Sequence, residues 1–262
     1  MRVVIAPDKF RGTLSAAEAA AAMAEGWQRV DHRPQLEQVP VADGGEGTLE
    51  ALATALGAEL HRARVTGPLG DPVSAAYAVA ETPGGRVAVV EMAQASGLRQ
   101  VSEPRRDAVR ATTRGTGELV LAACAHRPRR VIVAVGGSAT TDGGAGMAQA
   151  VGVRLLDERG RDLRPGGGVL RALARIDATG LDRSLRSVDV VVAADVDSPL
   201  LGPRGAARAF APQKGAGPDE VALLEEALSH LAAVVHRDLG IDVRDVPGGG
   251  AAGGLGAGLV AF

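Results

Sequence analysis

No asparagine occurs in this 262-residue chain, and of its 29 basic residues only two, Lys9 and Lys214, are lysines. A single cysteine, Cys124 in "LVLAACAH", rules out an internal disulfide, fits a reducing compartment and reads as a small buried apolar residue. No apolar run approaches the roughly 18 residues that a membrane span needs. Strand-like "VVIAP" opens the chain at once, so no signal peptide is expected and the expected location is cytoplasmic. The formal net charge is only −2, with acids and bases interspersed, which gives no electrostatic case for nucleic acid or an anionic membrane. The five histidines fall in unrelated contexts, so no zinc or Cys-His constellation forms on paper. Two nucleotide signatures are missing as well. No Gly-x-Gly-x-x-Gly follows the first strand, and no glycine loop carries the Lys-Ser/Thr pair of a P-loop.

Against that background the two lysines are informative. Arginine supplies the positive charge nearly everywhere else, and lysine differs from it as a compact point charge rather than a wide planar fork. Both lysines sit beside glycines in loops, "APDKFRGT" and "FAPQKGAG". A site that sets one cation against a phosphate or carboxylate oxygen in a tight space accepts lysine and rejects arginine. Lys9 and Lys214 are therefore expected to face one cleft.

Four β-branched runs (3–6, 36–42, 131–135 and 188–194) end at or just before Asp8, Asp43, Gly136-Gly137 and Asp195, and helical patterns follow the first three. Ser15 and Glu18 form a capping box that opens an alanine-rich helix to about Arg29. Another helix runs from Thr48 to Leu56, stopped by Gly57, and a third starts at Ala145. Apolar strands alternating with helices indicate an α/β fold with a mostly parallel sheet, whose ligands bind at the carboxyl ends of the strands. From Arg64 to Met92 the texture turns to hairpins, with a turn at Thr82–Gly85. The expected division is a first domain ahead of a second one spanning 65–242. Residues 220–240 form an amphipathic helix. The glycine-rich end, "VPGGGAAGGLGAGLVAF", reads either as a flexible tail or as a further loop of the first domain.

The stretch "VIVAVGGSATTDGGAGMAQAVG" delivers a strand into a loop of small and hydroxyl residues, and a helix leaves it. Gly136, Gly137, Ser138, Thr140, Gly143 and Gly144 are the expected contacts to a phosphate, through amides, hydroxyls and the helix N-terminus. Asp142 could hold Mg²⁺ through water. Asp8, Asp43, Glu46 and Asp195 complete the kit for phosphoryl transfer, in which cations and amides meet the phosphates and a carboxylate takes the acceptor's proton. Asp195 is the first choice for that base and Asp43 the second.

These stretches also carry a resemblance. "APDKFRGTLSA", "PVADGGEGTLEAL", "VEMAQASGL", "ATTRGTGEL", "VGGSATTDGGAGM", "DVDSPLLGPRGAARAFAPQKGA" and "GGGAAGGLGAGL" occur in order over essentially the whole chain, which resembles the bacterial glycerate kinase family. The resemblance implies an ATP- and Mg²⁺-dependent kinase acting on D-glycerate, usually at the 2-hydroxyl. It also implies a Rossmann-like domain (1–64 plus 243–262) with a second α/β domain (65–242) inserted into it, and a site in the cleft between them. Lys9, Lys214, Asp43 and Asp195 are then catalytic, and Asp8, Arg11 and Glu46 meet the substrate. Neither monomer nor homodimer is favoured. Thr141 and Ser198 stand where the family usually has asparagine, and Arg114 where an aromatic residue is common. Family members continue by about the size of a small domain, so a shortened chain is the expectation. Were the further segment essential, the chain would be a non-catalytic module binding nucleotide or a small carboxylate.

Overall fold

The computed structural model describes residues 1–10 and 13–262, so Arg11, assigned above to the substrate, lies outside the described residues. The chain begins with strand β1 (Arg2–Ile5), helix α1 (Ala16–Val30) and strand β2 (Gln35–Gln38). The capping box forms as expected: Glu18 N–H donates to the Ser15 hydroxyl, and the Glu18 carboxylate accepts from Ser15 N–H. β1 and β2 pair in parallel as a two-stranded sheet. α1 covers it with Ala20 and Ala24 against Ile5, a small core that leaves Val4 and the chain's single tryptophan, Trp27, exposed.

Helix α2 (Thr48–Leu56) leads into β3 (Glu59–Thr66), β4 (Pro72–Thr82) and β5 (Gly85–Glu91), joined by a turn at Pro83-Gly84. The short α3 (Ala93–Ser96), α4 (Arg114–Cys124) and β6 (Arg130–Ala134) follow. Then come α5 (Ala145–Ala150), the antiparallel pair β7 (Arg154–Leu156) and β8 (Arg175–Asp177), and β9 (Asp189–Ala193). α6 (Ala206–Phe210), the long α7 (Pro218–Leu239) and α8 (Ala251–Ala261) complete the chain. The five-stranded sheet has the order β3-β4-β5-β6-β9, with β3–β5 antiparallel and β5, β6 and β9 parallel. The fold is α/β, as the alternation of strands and helices implies. Tyr77, the only tyrosine, lies in the main core with Val90, Val131 and Leu119.

Strand β3 runs across the expected boundary at 64/65. β3 already belongs to the larger sheet, and α2 packs Leu49 and Ala53 against Ala76, Ala78 and Val89. Residues 243–262, assigned by resemblance to the first domain, lie in the main core here, where Ala251, Leu255 and Ala257 are buried with Leu200 and Leu228. The cause is side-chain size. A Cβ at Gly258 would stand 2.6 Å from the Gly143 carbonyl oxygen, so only glycine lets α8 come this close. The glycine-rich end is thus part of a packed body. Among the described residues, no helix is long and apolar enough to cross a membrane.

Candidate active site

The carboxyl ends of β5, β6 and β9 meet the loop between β2 and α2, and the contact between them is backbone on backbone. Gly136 N–H donates to the Gly44 carbonyl at 2.8 Å, and a Cβ on Gly136 would lie 2.4 Å from Gly45 Cα. This seam joins the small β1–α1–β2 layer to the large body. A cleft of about 480 Å³ opens along it, lined by Lys9, Asp43, Glu46, Gly136, Gly137, Ser138, Asp195 and Lys214 among others. Both lysines thus line one cleft.

Lys9 is held by charge. Its ammonium is 2.7 Å from Asp43 Oδ1 and 3.8 Å from Asp8 Oδ1. Burial alone would raise the Asp43 carboxyl, but the bonds from Lys9 Nζ and Gly45 N–H outweigh it and keep Asp43 below the usual carboxylate range. Lys214 is held by neutral groups. It is 1% exposed, and its ammonium donates to the Ser138 hydroxyl and the Thr140 carbonyl. Burial lowers it to about 7, with the Asp142 charge pulling the other way.

Asp195 follows β9, is exposed and lines the cleft. Glu46 pairs with Arg99 Nε at 2.7 Å, and both line the same cleft. Asp8 sits with Lys9 and Glu46 in an adjoining cleft of about 730 Å³. Of the residues assigned to the phosphate loop, Gly136, Gly137 and Ser138 reach the first cleft.

The rest of that loop is used internally, and four of the assigned residues (Thr140, Asp142, Gly143 and Gly144) do not line the cleft. Gly143 N–H donates to the Gly253 carbonyl and Gly144 N–H to Asp142 Oδ1, so both amides are taken by the protein's own acceptors. Thr140 is fully buried, with its hydroxyl toward the Ala252 carbonyl; its own carbonyl is what reaches the site, through Lys214. Asp142 is not placed to hold a metal. It is wholly buried and accepts from Thr113 N–H and hydroxyl and from the amides of Gly144 and Gly146. Burial raises its carboxyl, and those four donors oppose the rise. It caps the turn into α5 and ties it to Thr113.

One buried acid went unread in the sequence. Glu91, 1% exposed at the end of β5, accepts from Gly47 N–H and Leu49 N–H, both in the first turn of α2. Burial raises its carboxyl, those amides and Gln94 work against the rise, and Glu46 adds to it.

Comparison with known proteins agrees with this architecture. Residues 3–262 match the glycerate kinase family as a sequence profile. The "Glycerate kinase" of Bacillus subtilis (strain 168) and the "Glycerate 2-kinase" of Escherichia coli (strain K12) are each 49% identical over the whole of this chain, which covers 68% of each relative. A crystal structure described as "putative glycerate kinase 2 from Salmonella typhimurium LT2" superposes with a TM-score of 0.91 at 46% identity. The match covers 100% of this chain and 70% of that one. Fold and relatives together define a kinase of α/β architecture. The chain belongs to the glycerate kinase family.

Proposed function

We propose that this chain transfers the γ-phosphoryl group of ATP to the 2-hydroxyl of D-glycerate, in the cleft between the β1–α1–β2 layer and the five-stranded body. The observation that carries the reading is the meeting of the chain's only two lysines in a cleft that also holds Asp43 and Asp195. Phosphoryl transfer asks the protein chiefly for position and electrostatic stabilisation. Lys214, Gly137 and Ser138 lie where phosphate oxygens would be met, with Lys9 across from them. Asp195 takes the hydroxyl proton of glycerate, because Asp43 is committed to Lys9 and held as a carboxylate of low basicity.

Mg²⁺ fits this donor set in part. Among the described residues no three His, Cys, Asp or Glu side chains form a ready-made cage. Mg²⁺ at a phosphoryl-transfer site, however, is commonly held by one or two carboxylates and completed by the substrate's phosphates and water. With Asp195 assigned to the proton, Asp43 is the carboxylate left for that role, and the ion would supply neutralisation of the transferring phosphate.

A coupled assay for ADP release with D-glycerate, with phosphorus NMR of the product, tests the reading. The expected result is glycerate-dependent ADP release and a 2-phosphoglycerate resonance. Asp195→Asn should lower kcat by about 10²–10⁴-fold. Nucleotide binding with no glycerate-dependent turnover would instead make the chain a binding module.

A further inference from the structure

The chemistry proposed above depends on where Asp43 and Lys9 stand, and both depend on the loop 43–47. That loop has little rigidity of its own. Gly44 and Gly47 both have left-handed φ (+83° and +91°), and Gly47, as N-cap of α2, has no side chain with which to close the helix. A partner from outside must take the first amides of α2.

Glu91 is that partner, and it comes from 42 and 44 residues further along the chain. A single oxygen, Oε2, receives both Gly47 N–H at 3.0 Å and Leu49 N–H at 2.9 Å. A buried carboxylate is costly unless charge and hydrogen bonds compensate it, and here the positive end of α2 supplies both. The internal anion also occupies the helix end at which a phosphate could otherwise have bound. The loop is pinned at a second point by the Gly136–Gly44 hydrogen bond. Between the two pins lie Gly45, whose N–H holds Asp43 Oδ1, and Glu46, paired with Arg99. The larger cleft is lined by Glu91, and it shares Lys9, Glu46 and Arg99 with the smaller one.

We propose that Glu91 is a positioning residue of the kinase site: by capping α2 it sets the 43–47 loop, and through Asp43 it aims Lys9 into the cleft. The role lies in reach rather than charge, because one acceptor oxygen makes both contacts. Glutamine can present its carbonyl oxygen at that point while the Gln94 amide turns its own oxygen to receive the new NH₂. Aspartate keeps the charge but falls one methylene short.

The test pairs Glu91→Gln with Glu91→Asp, since both keep a polar group in the space. A misplacement on the order of 1 Å can cost about 10²-fold in rate. The expected result is a kcat loss of about 10–10²-fold in Glu91→Asp with both KM values within about threefold, and near-parental kcat in Glu91→Gln. Backbone hydrogen exchange over residues 45–49 should rise in Glu91→Asp and stay low in Glu91→Gln. In a Lys9→Met background, Glu91→Asp should cost little more, because the two changes remove the same contribution. Full kcat in both variants, the reverse order of damage, or strict additivity with Lys9→Met would each overturn the proposal. Hydrogen exchange reads loop placement without turnover. If Lys9→Met leaves glycerate phosphorylation intact while exchange responds as stated, the reading of the site fails and the loop's dependence on Glu91 stands.

Discussion

Lys9 stands on a thin support of two paired strands and one helix, with its side chain 16% exposed and a carboxylate 2.7 Å away. Lys214 stands inside the main body, 1% exposed, with a hydroxyl and a carbonyl as its partners. The same residue type is thus used in two physical states. Lys9 has its countercharge beside it in Asp43. Lys214 is lowered to about 7 by burial, so an anion bound beside it would favour its charged state. One side of the cleft therefore holds an ammonium paired with a carboxylate, and the other an ammonium among neutral groups.

The largest expected effect comes from testing fit. The space around Lys214 is closed, so Lys214→Arg should lose about 10²–10³-fold in kcat, nearly as much as Lys214→Met. Lys9→Arg has open space beside it and keeps an ion pair with Asp43, so a loss of only about tenfold is expected, within the range for one displaced contact. Steady-state kinetics on the three variants checks this, and equal damage from both arginines would erase the contrast.

A smaller effect is expected at the seam between the two regions. Gly136→Ala places a methyl 2.4 Å from Gly45 Cα, which forces the 43–47 loop away from the body. Overpacking of this kind costs about 1–3 kcal/mol, readable in urea unfolding. Lower stability with unaltered kcat would mean that the loop's position does not govern the site.

The smallest effect is protonic. In the folded chain Lys214 titrates near 7, against 10.5 for an ordinary lysine, so between those values the unfolded chain binds more protons. Its contribution to stability therefore rises as pH climbs through that window, and the rise should vanish in Lys214→Met. Nucleotide binding at pH 8 should take up a fraction of a proton, measured by calorimetry in buffers of different ionisation enthalpy. The uptake should persist in Lys9→Met and disappear in Lys214→Met.

Much of this was legible in the sequence because it is local. The Ser15/Glu18 box, the Gly57 stop after α2, the Thr82–Gly85 turn and the strands that became β6 and β9 each follow from a few neighbouring residues. Lys9 and Lys214 stood out because the composition makes lysine rare. The roles of Glu91 and Asp142 could not be read this way. A carboxylate looks the same in sequence whether it faces a ligand or caps a helix, and the partners of these two lie up to 44 residues away. Gly143 and Gly144 misled for a related reason. Glycine serves close packing and anion cradles alike, and only the approach of α8 decides between them. The glycine-rich end shows no patterning that marks it as core, since its Cβ-free residues pack by backbone contact.

Trp27 and Tyr77 are each the chain's only residue of their kind. The tryptophan rides on α1, in the thin layer that carries Lys9; the tyrosine is enclosed in the main body with His126 Nε2 3.0 Å from its hydroxyl. Each region therefore carries its own optical reporter without any labelling. Tryptophan emission excited beyond the tyrosine band follows the layer alone, and tyrosine emission, at shorter wavelength, follows the body. Denaturation recorded at the two wavelengths would show whether the layer melts with the body or ahead of it.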